Sequence, residues 1–235
     1  MKIKIQKEGE RGLTKLAWLT SKHSFNFGQY HNPDREKFGT LLVVNEDIVS
    51  PKQGFEMHKH ENMEIITIML SGKIEHQDTL GNVKLIEEGD IQKISAGTGI
   101  MHSEINPDFE KAAHFLQIWI EPKSMRTKPD YAQVHLTPEN YKNQLVEIAG
   151  DTVKSKLKIK QEAAVMIGEA EKYEKLYYSL RNPLHGLFLL VIEGKISLED
   201  KILVKGDSAE ITKVKSITLT AQENSRVLLI DVPVD

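Results

Sequence analysis

The sequence has no cysteine among its 235 residues. Disulfide bonds, thiolate zinc fingers and iron–sulfur clusters are therefore excluded, and any bound metal must be held by nitrogen and oxygen donors. Long hydrophobic runs are also missing, since the longest, "GLFLLVIEG", is far too short to cross a bilayer. The segment "MKIKIQKEGERGLTK" lacks the apolar core of a signal peptide, so we expect a soluble, cytoplasmic protein without a membrane partner.

An excess of positive charge is absent as well. The 31 basic and 34 acidic residues give a formal net charge of −3, which supplies no general attraction to nucleic acid. We therefore expect no direct nucleic-acid partner. Because 40% of the residues are hydrophobic, the chain can bury a substantial core and is expected to be globular.

Short segments rich in Val, Ile, Leu and Thr recur between clusters of Gly, Asn, Asp and Pro, as in "MEIITIML", "IQKISAG" and "HFLQIWIEP". This spacing is typical of an antiparallel β-sandwich or barrel, so we predict an all-β fold. The segment "IEHQDTLGNVKLIEEGD" is predicted to form a hairpin with Leu80, Gly81 and Asn82 at its tip.

A stretch with three prolines, residues 121–141, interrupts the strand pattern as an interdomain loop would. We place the division near residue 132, which gives domains 1–132 and 133–235. "LSGKIEHQD" in the first domain resembles "IEGKISLED" in the second at an offset of 122 residues, and "EEGDIQKI" resembles "VKGDSAEI" at an offset of 117. This internal repeat predicts two duplicated β-barrels.

Two pairs of metal-ligating residue types occur in the first domain. His58 and His60 lie two residues apart in "GFEMHKHENMEIITIML", and His102 and Glu104 have the same spacing in "GTGIMHSEINPD". Side chains two residues apart in a strand point to the same side, so two neighbouring antiparallel strands would bring all four donors around one point. One divalent transition metal, Fe(II) or else Mn, Co, Ni, Cu or Zn, suits this donor set.

The competing interpretation is that the His-x-His pair is only polar packing at the start of a core strand. The repeat favours the metal site, because the offset of 122 places Leu180 and Asn182 opposite His58 and His60 while the apolar strand persists. Glu64 follows the pair and has three interpretations: a fifth ligand, an acceptor that orients an imidazole, or a solvated residue. We rank the orienting role first.

The remaining histidines are assigned ordinary structural roles. His76 is expected to be an exposed hairpin residue, and His114 a hydrogen-bonded core residue before the strand "FLQIWI". A serine hydrolase is not indicated: Ser103 is adjacent to His102, which directs the two side chains apart on a strand, and the G-x-S-x-G motif is absent.

The motifs together resemble the pirin family of the cupin superfamily. The resemblance rests on "HSFNFGQYHNPDREKFGTLLVVNEDIVSPKQGFEMHKHENMEIITIMLSGKIEHQDTLGN" and on "EEGDIQKISAGTGIMHSE". It implies a bicupin, with two barrels packed face to face, few short helices and a metal in the first barrel alone. The family's ligands correspond to His58, His60, His102 and Glu104, which is why Glu104 rather than Glu64 is taken as the carboxylate ligand. Lys59 stands where pirins often have proline.

The resemblance implies two alternative functions. Several bacterial pirins are quercetin 2,3-dioxygenases, which open a flavonol ring with dioxygen, whereas mammalian pirin is an iron-dependent transcriptional coregulator. We expect an enzyme of the first kind, with a small aromatic substrate, dioxygen and Glu104 as a base for the substrate's hydroxyl proton. The alternative is a metal-containing regulatory or redox-sensing protein that binds a protein partner without turnover.

Overall fold

A computed structural model describes residues 1–234 of the chain. It consists of 22 strands and three single-turn 3₁₀ helices, Glu8–Glu10, Pro33–Arg35 and Pro138–Asn140. The strands are numbered in the order of the sequence, and the first twelve come from the first part of the chain. They are β1 (Lys2–Gln6), β2 (Gly12–Lys15), β3 (Leu19–His23), β4 (Leu41–Val49), β5 (Gly54–His60), β6 (Glu64–Ser71), β7 (Lys73–Asp78), β8 (Val83–Glu87), β9 (Asp90–Ser95), β10 (Ile100–Ile105), β11 (Ala113–Ile120) and β12 (Asp130–His135). The remaining strands are β13 (Gln144–Gly150), β14 (Leu157–Lys158), β15 (Ala164–Ala170), β16 (Lys175–Ser179), β17 (His185–Glu193), β18 (Lys195–Leu198), β19 (Lys201–Val204), β20 (Ser208–Thr212), β21 (Ser216–Ala221) and β22 (Ser225–Pro233).

The strands form two copies of one pair of sheets. The first copy has a seven-stranded sheet, β12-β9-β6-β11-β4-β3-β2, and a four-stranded sheet, β5-β10-β7-β8. The second has β1-β20-β17-β22-β15-β13-β14 and β16-β21-β18-β19, which repeats the same order except at the last strand of the larger sheet. There β2 pairs antiparallel with β3, whereas β14 pairs parallel with β13. The repeat extends to the backbone, because Gly72 and Gly194 have φ angles of +74° and +81° at the same turn. Glycine adopts such angles readily because it has no Cβ atom.

The all-β fold with two repeated units is confirmed, and one detail of it is wrong. Each unit is an open sandwich of two sheets rather than a closed barrel, because the strands divide between two separately hydrogen-bonded ladders. The predicted hairpin is present as β7 and β8, with Gly81 at a φ of +89° in the turn.

The two sandwiches exchange their edge strands across the predicted division at residue 132. That residue lies inside β12, which pairs with β9 of the first sandwich. Strand β1 pairs with β20 and occupies the equivalent edge of the second sandwich. Each half of the chain therefore contributes a strand segment to both sandwiches.

The largest hydrophobic core lies between the two seven-stranded sheets. Phe25 and Leu116 of the first sandwich pack there with Phe188 and Leu228 of the second, and the ring centroids of Phe25 and Phe188 are 5.4 Å apart. A separate apolar cluster fills the interior of the second sandwich. The interior of the first sandwich instead holds smaller clusters and many buried polar side chains. None of the helices in residues 1–234 combines the length and hydrophobicity that crossing a membrane requires.

Candidate metal centre

Three imidazoles converge inside the first sandwich, on the four-stranded sheet. Strands β5 and β10 are antiparallel with His102 opposite His58, and His60 lies on the same side of β5. The ring centroids are 4.5 Å apart for His58 and His102, 4.7 Å for His58 and His60, and 5.0 Å for His60 and His102. Nδ1 of His58 donates a hydrogen bond of 2.7 Å to the carbonyl of Glu56, which leaves the lone pair on its Nε2. The predicted approach of these three side chains is thus present.

The environment of His102 is the clearest sign that a ligand belongs here. Its side chain is buried, yet neither ring nitrogen has a hydrogen-bond partner within residues 1–234. Leaving a buried polar atom unpaired costs about 1–3 kcal/mol, and coordination to a metal would satisfy it. Burial, reinforced by the neighbouring imidazoles, lowers the pKa of His102 to about 3 and that of His60 to about 4. Both rings are therefore neutral near pH 7, the form that ligates metals.

Glu104 is held firmly by amide side chains. It lies two residues after His102 on β10, past a bulge in the pairing with β5. Gln92 donates a hydrogen bond to one carboxylate oxygen, and Gln117 donates one of 3.0 Å to the other. Burial raises the pKa of Glu104, while these bonds and the nearby imidazoles oppose that effect.

His76 joins the cluster from the neighbouring strand, and the expectation that it is exposed is wrong. It is fully buried because β7 pairs with β10 inside the four-stranded sheet, with His76 opposite Glu104. Its Nε2 donates a hydrogen bond of 2.9 Å to Asp78, and its Nδ1 is unpaired in the described chain. The donor atoms of His58, His60 and His102 lie within 4.8 Å of one another, as do those of His76, His102 and Glu104. The two groups share His102.

Glu64 lies at the start of β6 and is buried. Its carboxylate accepts a hydrogen bond of 2.6 Å from the hydroxyl of Ser95 on β9. Within residues 1–234 it has no side-chain hydrogen bond to an imidazole, so the orienting role that we assign to it stays a prediction.

A row of polar side chains crosses the inner face of the seven-stranded sheet, and sequence reasoning missed it. The row runs across five strands in register, with neighbours directly opposite each other: His23, Asn45, Gln117, Thr67 and Gln92. Four of the five equivalent positions in the second sandwich hold Met166, Leu229, Leu189 and Ala209, all buried in its apolar core. The fifth, at the position of His23, is Glu147. The fold therefore does not require polar side chains at the other four positions. The signal of the polar row in the sequence was a single polar residue at an inward position of each apolar strand, as in "EIITIML".

The positions of the predicted ligands also lack metal-binding residues in the second sandwich. With Gly72 and Gly194 aligned, the strand registers place Ile217 at the position of His102 and Leu219 at that of Glu104. Tyr178 pairs with Ile217 and so replaces His58. The predicted match of Leu180 to His58 is wrong by two residues, because the offset of 122 does not extend to β16.

A cavity of about 450 Å³ opens onto the cluster. All four predicted ligands line it, together with four aromatic side chains, Trp18, Phe27, Phe55 and Trp119. The ring of Trp119 stands edge-on to that of His60, with centroids 4.9 Å apart. A flat aromatic molecule can therefore pack against apolar walls while its polar groups face the imidazoles.

Comparison with known proteins shows which family the chain matches. The family model described as Pirin matches residues 5–120, and the model described as Quercetinase C-terminal cupin domain matches residues 148–232. A putative quercetin 2,3-dioxygenase of Zymomonas mobilis is 36% identical over 221 residues, which cover 93% of each chain. The chain belongs to the pirin family.

Other pirins extend the similarity to the whole chain. The quercetin 2,3-dioxygenase of Escherichia coli K12 is 34% identical over 231 residues, covering 98% of this pirin and 99% of the relative. The crystal structure of YhhW from Escherichia coli matches with a TM-score of 0.94 and 32% identity, covering 100% of this chain and 99% of that one. A structure of YhhW in complex with nickel(II) matches with a TM-score of 0.92 and 33% identity over the full length of both chains. The predicted resemblance and bicupin fold are confirmed.

Proposed function

We propose that this pirin is a metal-dependent dioxygenase that cleaves the ring of a flavonol-type substrate with dioxygen. The observation that carries the proposal is the cavity: aromatic walls lead to three imidazoles and a buried carboxylate. A protein that used its metal only as a structural element would not need this open, apolar space above the ligands. The names of the relatives from Escherichia coli and Zymomonas mobilis support the same reaction class.

The metal would be held by one residue pair from each of two adjacent strands. The proposed ligands are His58, His60, His102 and Glu104. The unpaired ring nitrogens of His102 fit this role, since the cluster otherwise leaves them buried without a partner. A divalent transition metal, which we expect to be Fe(II), supplies Lewis-acid and oxygen-activating chemistry when bound there.

The protein's own side chains orient the substrate and accept its proton. Trp119 and Phe55 form apolar walls of the cavity, so a planar ring between them excludes water from the cluster. Glu104 is buried, and burial raises its pKa, so its carboxylate is a suitable base for a substrate hydroxyl. Gln92 and Gln117 fix the carboxylate in place by their hydrogen bonds.

The experiment measures metal content and oxygen consumption with quercetin on protein reconstituted with Fe(II). We expect His58→Ala and Glu104→Ala each to weaken metal binding by at least about tenfold and to abolish oxygen uptake. His135→Ala is the matched control, because His135 is largely exposed and pairs with Asp90 on β9. It should retain both properties.

Two results would contradict the proposal in different ways. Full metal retention in both His58→Ala and Glu104→Ala would overturn the ligand assignment. Normal metal binding in the unmodified protein, without oxygen uptake on any flavonol, would overturn the dioxygenase and favour a metal-containing binding or regulatory protein with a protein partner.

A further inference from the structure

We propose that Asn45 and Asp47 form a second subsite in the cavity, separate from the metal ligands, that binds a hydroxyl group on the pendant ring of a polyhydroxylated substrate. The choice of a flavonol as the substrate class rests on the proposed function. The subsite itself rests on the geometry of β4 and on hydrogen-bonding groups that this strand leaves unpaired.

Both side chains are buried polar groups that face the cavity. Asn45 is 1% exposed and Asp47 is 3% exposed, and both line the same space as the imidazole cluster. Within residues 1–234, Nδ2 of Asn45 and Oδ1 of Asp47 are buried without a hydrogen-bond partner. An unpaired buried donor or acceptor is unfavourable, so each of these atoms is suited to a ligand or a displaceable water.

Hydrogen bonds among neighbouring side chains fix the orientation of the Asn45 amide. Its Oδ1 accepts a hydrogen bond of 2.8 Å from Nδ1 of His23. Nε2 of the same ring then accepts one of 2.8 Å from the hydroxyl of Thr14. Because its oxygen is engaged by His23, Asn45 has only its amide N–H groups left to bond a ligand.

Asp47 supplies the complementary acceptor. It lies two residues after Asn45 on the same face of β4, so a donor and an acceptor stand side by side. A hydroxyl group both donates and accepts, and it can therefore pair with either side chain. Burial raises the pKa of Asp47 to about 7, because the charged carboxylate loses its hydration at this position.

The second sandwich shows that the fold does not demand these polar groups. The strand registers place Met166 at the position of Asn45 and Gly168 at that of Asp47. Met166 belongs to the apolar core of that sandwich. The first sandwich therefore carries a buried amide and a buried carboxyl at positions where the same architecture is stable without them.

Asp47 also stands at the junction of two spaces. A neighbouring cavity of about 680 Å³ shares Phe27, Asp47 and Phe55 with the cavity of the imidazole cluster. A ligand that reaches from the imidazoles to Asp47 can thus extend beyond a single ring. This favours a molecule with two aromatic parts, one at the cluster and the other at the Asn45–Asp47 subsite.

The test compares two flavonols that differ only in the pendant ring. Quercetin carries two hydroxyls on that ring and galangin carries none. Their dissociation constants would be measured by titration calorimetry on the Zn(II)-loaded protein without oxygen, so that binding is separated from turnover. Since one added hydrogen bond to a buried carboxyl contributes roughly a factor of ten, we expect quercetin to bind about tenfold more tightly.

Two leucine substitutions should remove this preference. In Asp47→Leu and Asn45→Leu, the ratio of the two constants should approach one, while Asp47→Asn, which keeps an acceptor oxygen, should retain part of it. Asp47→Leu removes a buried carboxyl, so we expect it to fold with undiminished thermal stability. Ile65→Val is the control, because Ile65 lines the cavity without a polar group and should change both constants alike.

A preference that is absent from the unmodified protein, or that survives in both leucine variants, overturns the subsite. This outcome is distinguishable from failure of the dioxygenase. A preference that depends on Asn45 and Asp47 without oxygen uptake upholds the subsite and refutes the enzyme. Oxygen uptake with equal binding of the two flavonols upholds the enzyme and refutes the subsite.

Discussion

Glu46 shows how a single residue ties the stability of this pirin to pH. It lies on β4 and forms an ion pair of 2.8 Å with Arg11 and a hydrogen bond of 3.1 Å with His114. Burial alone would raise the pKa of Glu46, but its bonds with His114 and Arg11 outweigh burial and lower the pKa to about 2, from an ordinary value of 4.5. A lowered pKa stabilises the folded state above pH 4.5, and this contribution disappears as the pH falls through 2.

We therefore expect Glu46→Gln to lose about 3 kcal/mol of unfolding free energy at pH 7, the equivalent of the lowered pKa. The loss should shrink between pH 4.5 and pH 2, because the unmodified protein becomes protonated there as well. Urea unfolding across this range measures both effects, with the exposed Glu110→Gln as the control. An equal difference between Glu46→Gln and the unmodified protein at every pH would contradict this assignment.

Among single residues, the histidines proposed to bind the metal are better predicted from the sequence than the residues around them. His58 and His60 share a face of β5 because they are two residues apart. The pairing of β5 with β10 then brings His102 opposite His58. The burial of His76 was not predictable, because it depends on which strand lies beside the hairpin. His114 does form a hydrogen bond, with Glu46, although it is only partly buried.

Among the elements, the pairing of β5 with β10 depends on a close backbone approach at Gly54. A Cβ atom at this position would lie 2.2 Å from the carbonyl oxygen of Glu104 and 2.6 Å from Cα of Ile105. Both are backbone atoms, so the strands themselves would have to separate. The contact lies next to the bulge that precedes Glu104, and we therefore expect it to set the spacing of the two pairs of proposed ligands.

We expect Gly54→Ala to destabilise the protein by about 1–3 kcal/mol, as overpacking does, and to weaken metal binding by displacing His58 relative to His102. Gly9→Ala is the matched control, since a Cβ atom at Gly9 meets nothing within 4 Å. Thermal unfolding and metal titration measure the two effects. Unchanged metal affinity in Gly54→Ala would show that this approach does not position the ligands.

Strand β12 is an element that the local sequence pattern does not reveal. Residues 121–141 contain three prolines and read as a linker, yet β12 lies between the second and third of them. Its partner β9 lies about forty residues earlier, with Asp130 opposite Ser95. A strand of mixed polarity at a sheet edge carries little hydrophobic periodicity, so only the long-range pairing reveals it.

The whole molecule is expected to unfold as one unit, because its largest core belongs to both sandwiches. Phe188 is fully buried in that core, and Phe→Ala substitutions at such sites cost about 3–5 kcal/mol. The two tryptophans, Trp18 and Trp119, both line the cavity of the first sandwich. Tryptophan fluorescence therefore reports on the half of the molecule that does not contain Phe188.

We predict that Phe188→Ala shifts the fluorescence transition and the circular dichroism transition by the same amount. Urea unfolding followed by both signals measures this, and Val153→Ala, at a side chain that is 96% exposed, should leave both unchanged. A fluorescence transition that does not move, while the circular dichroism signal does, would show that the sandwiches unfold independently.

The exchange of edge strands has a further consequence for how the chain is made. Gln6 of β1 faces Ser208 of β20, and the two are separated by 202 residues in sequence. Synthesis on the ribosome proceeds from the amino terminus, so β1 emerges long before its partner exists. Strand β1 is thus translated early but docks late, and the second sandwich keeps an open edge at β20 until β1 returns to close it.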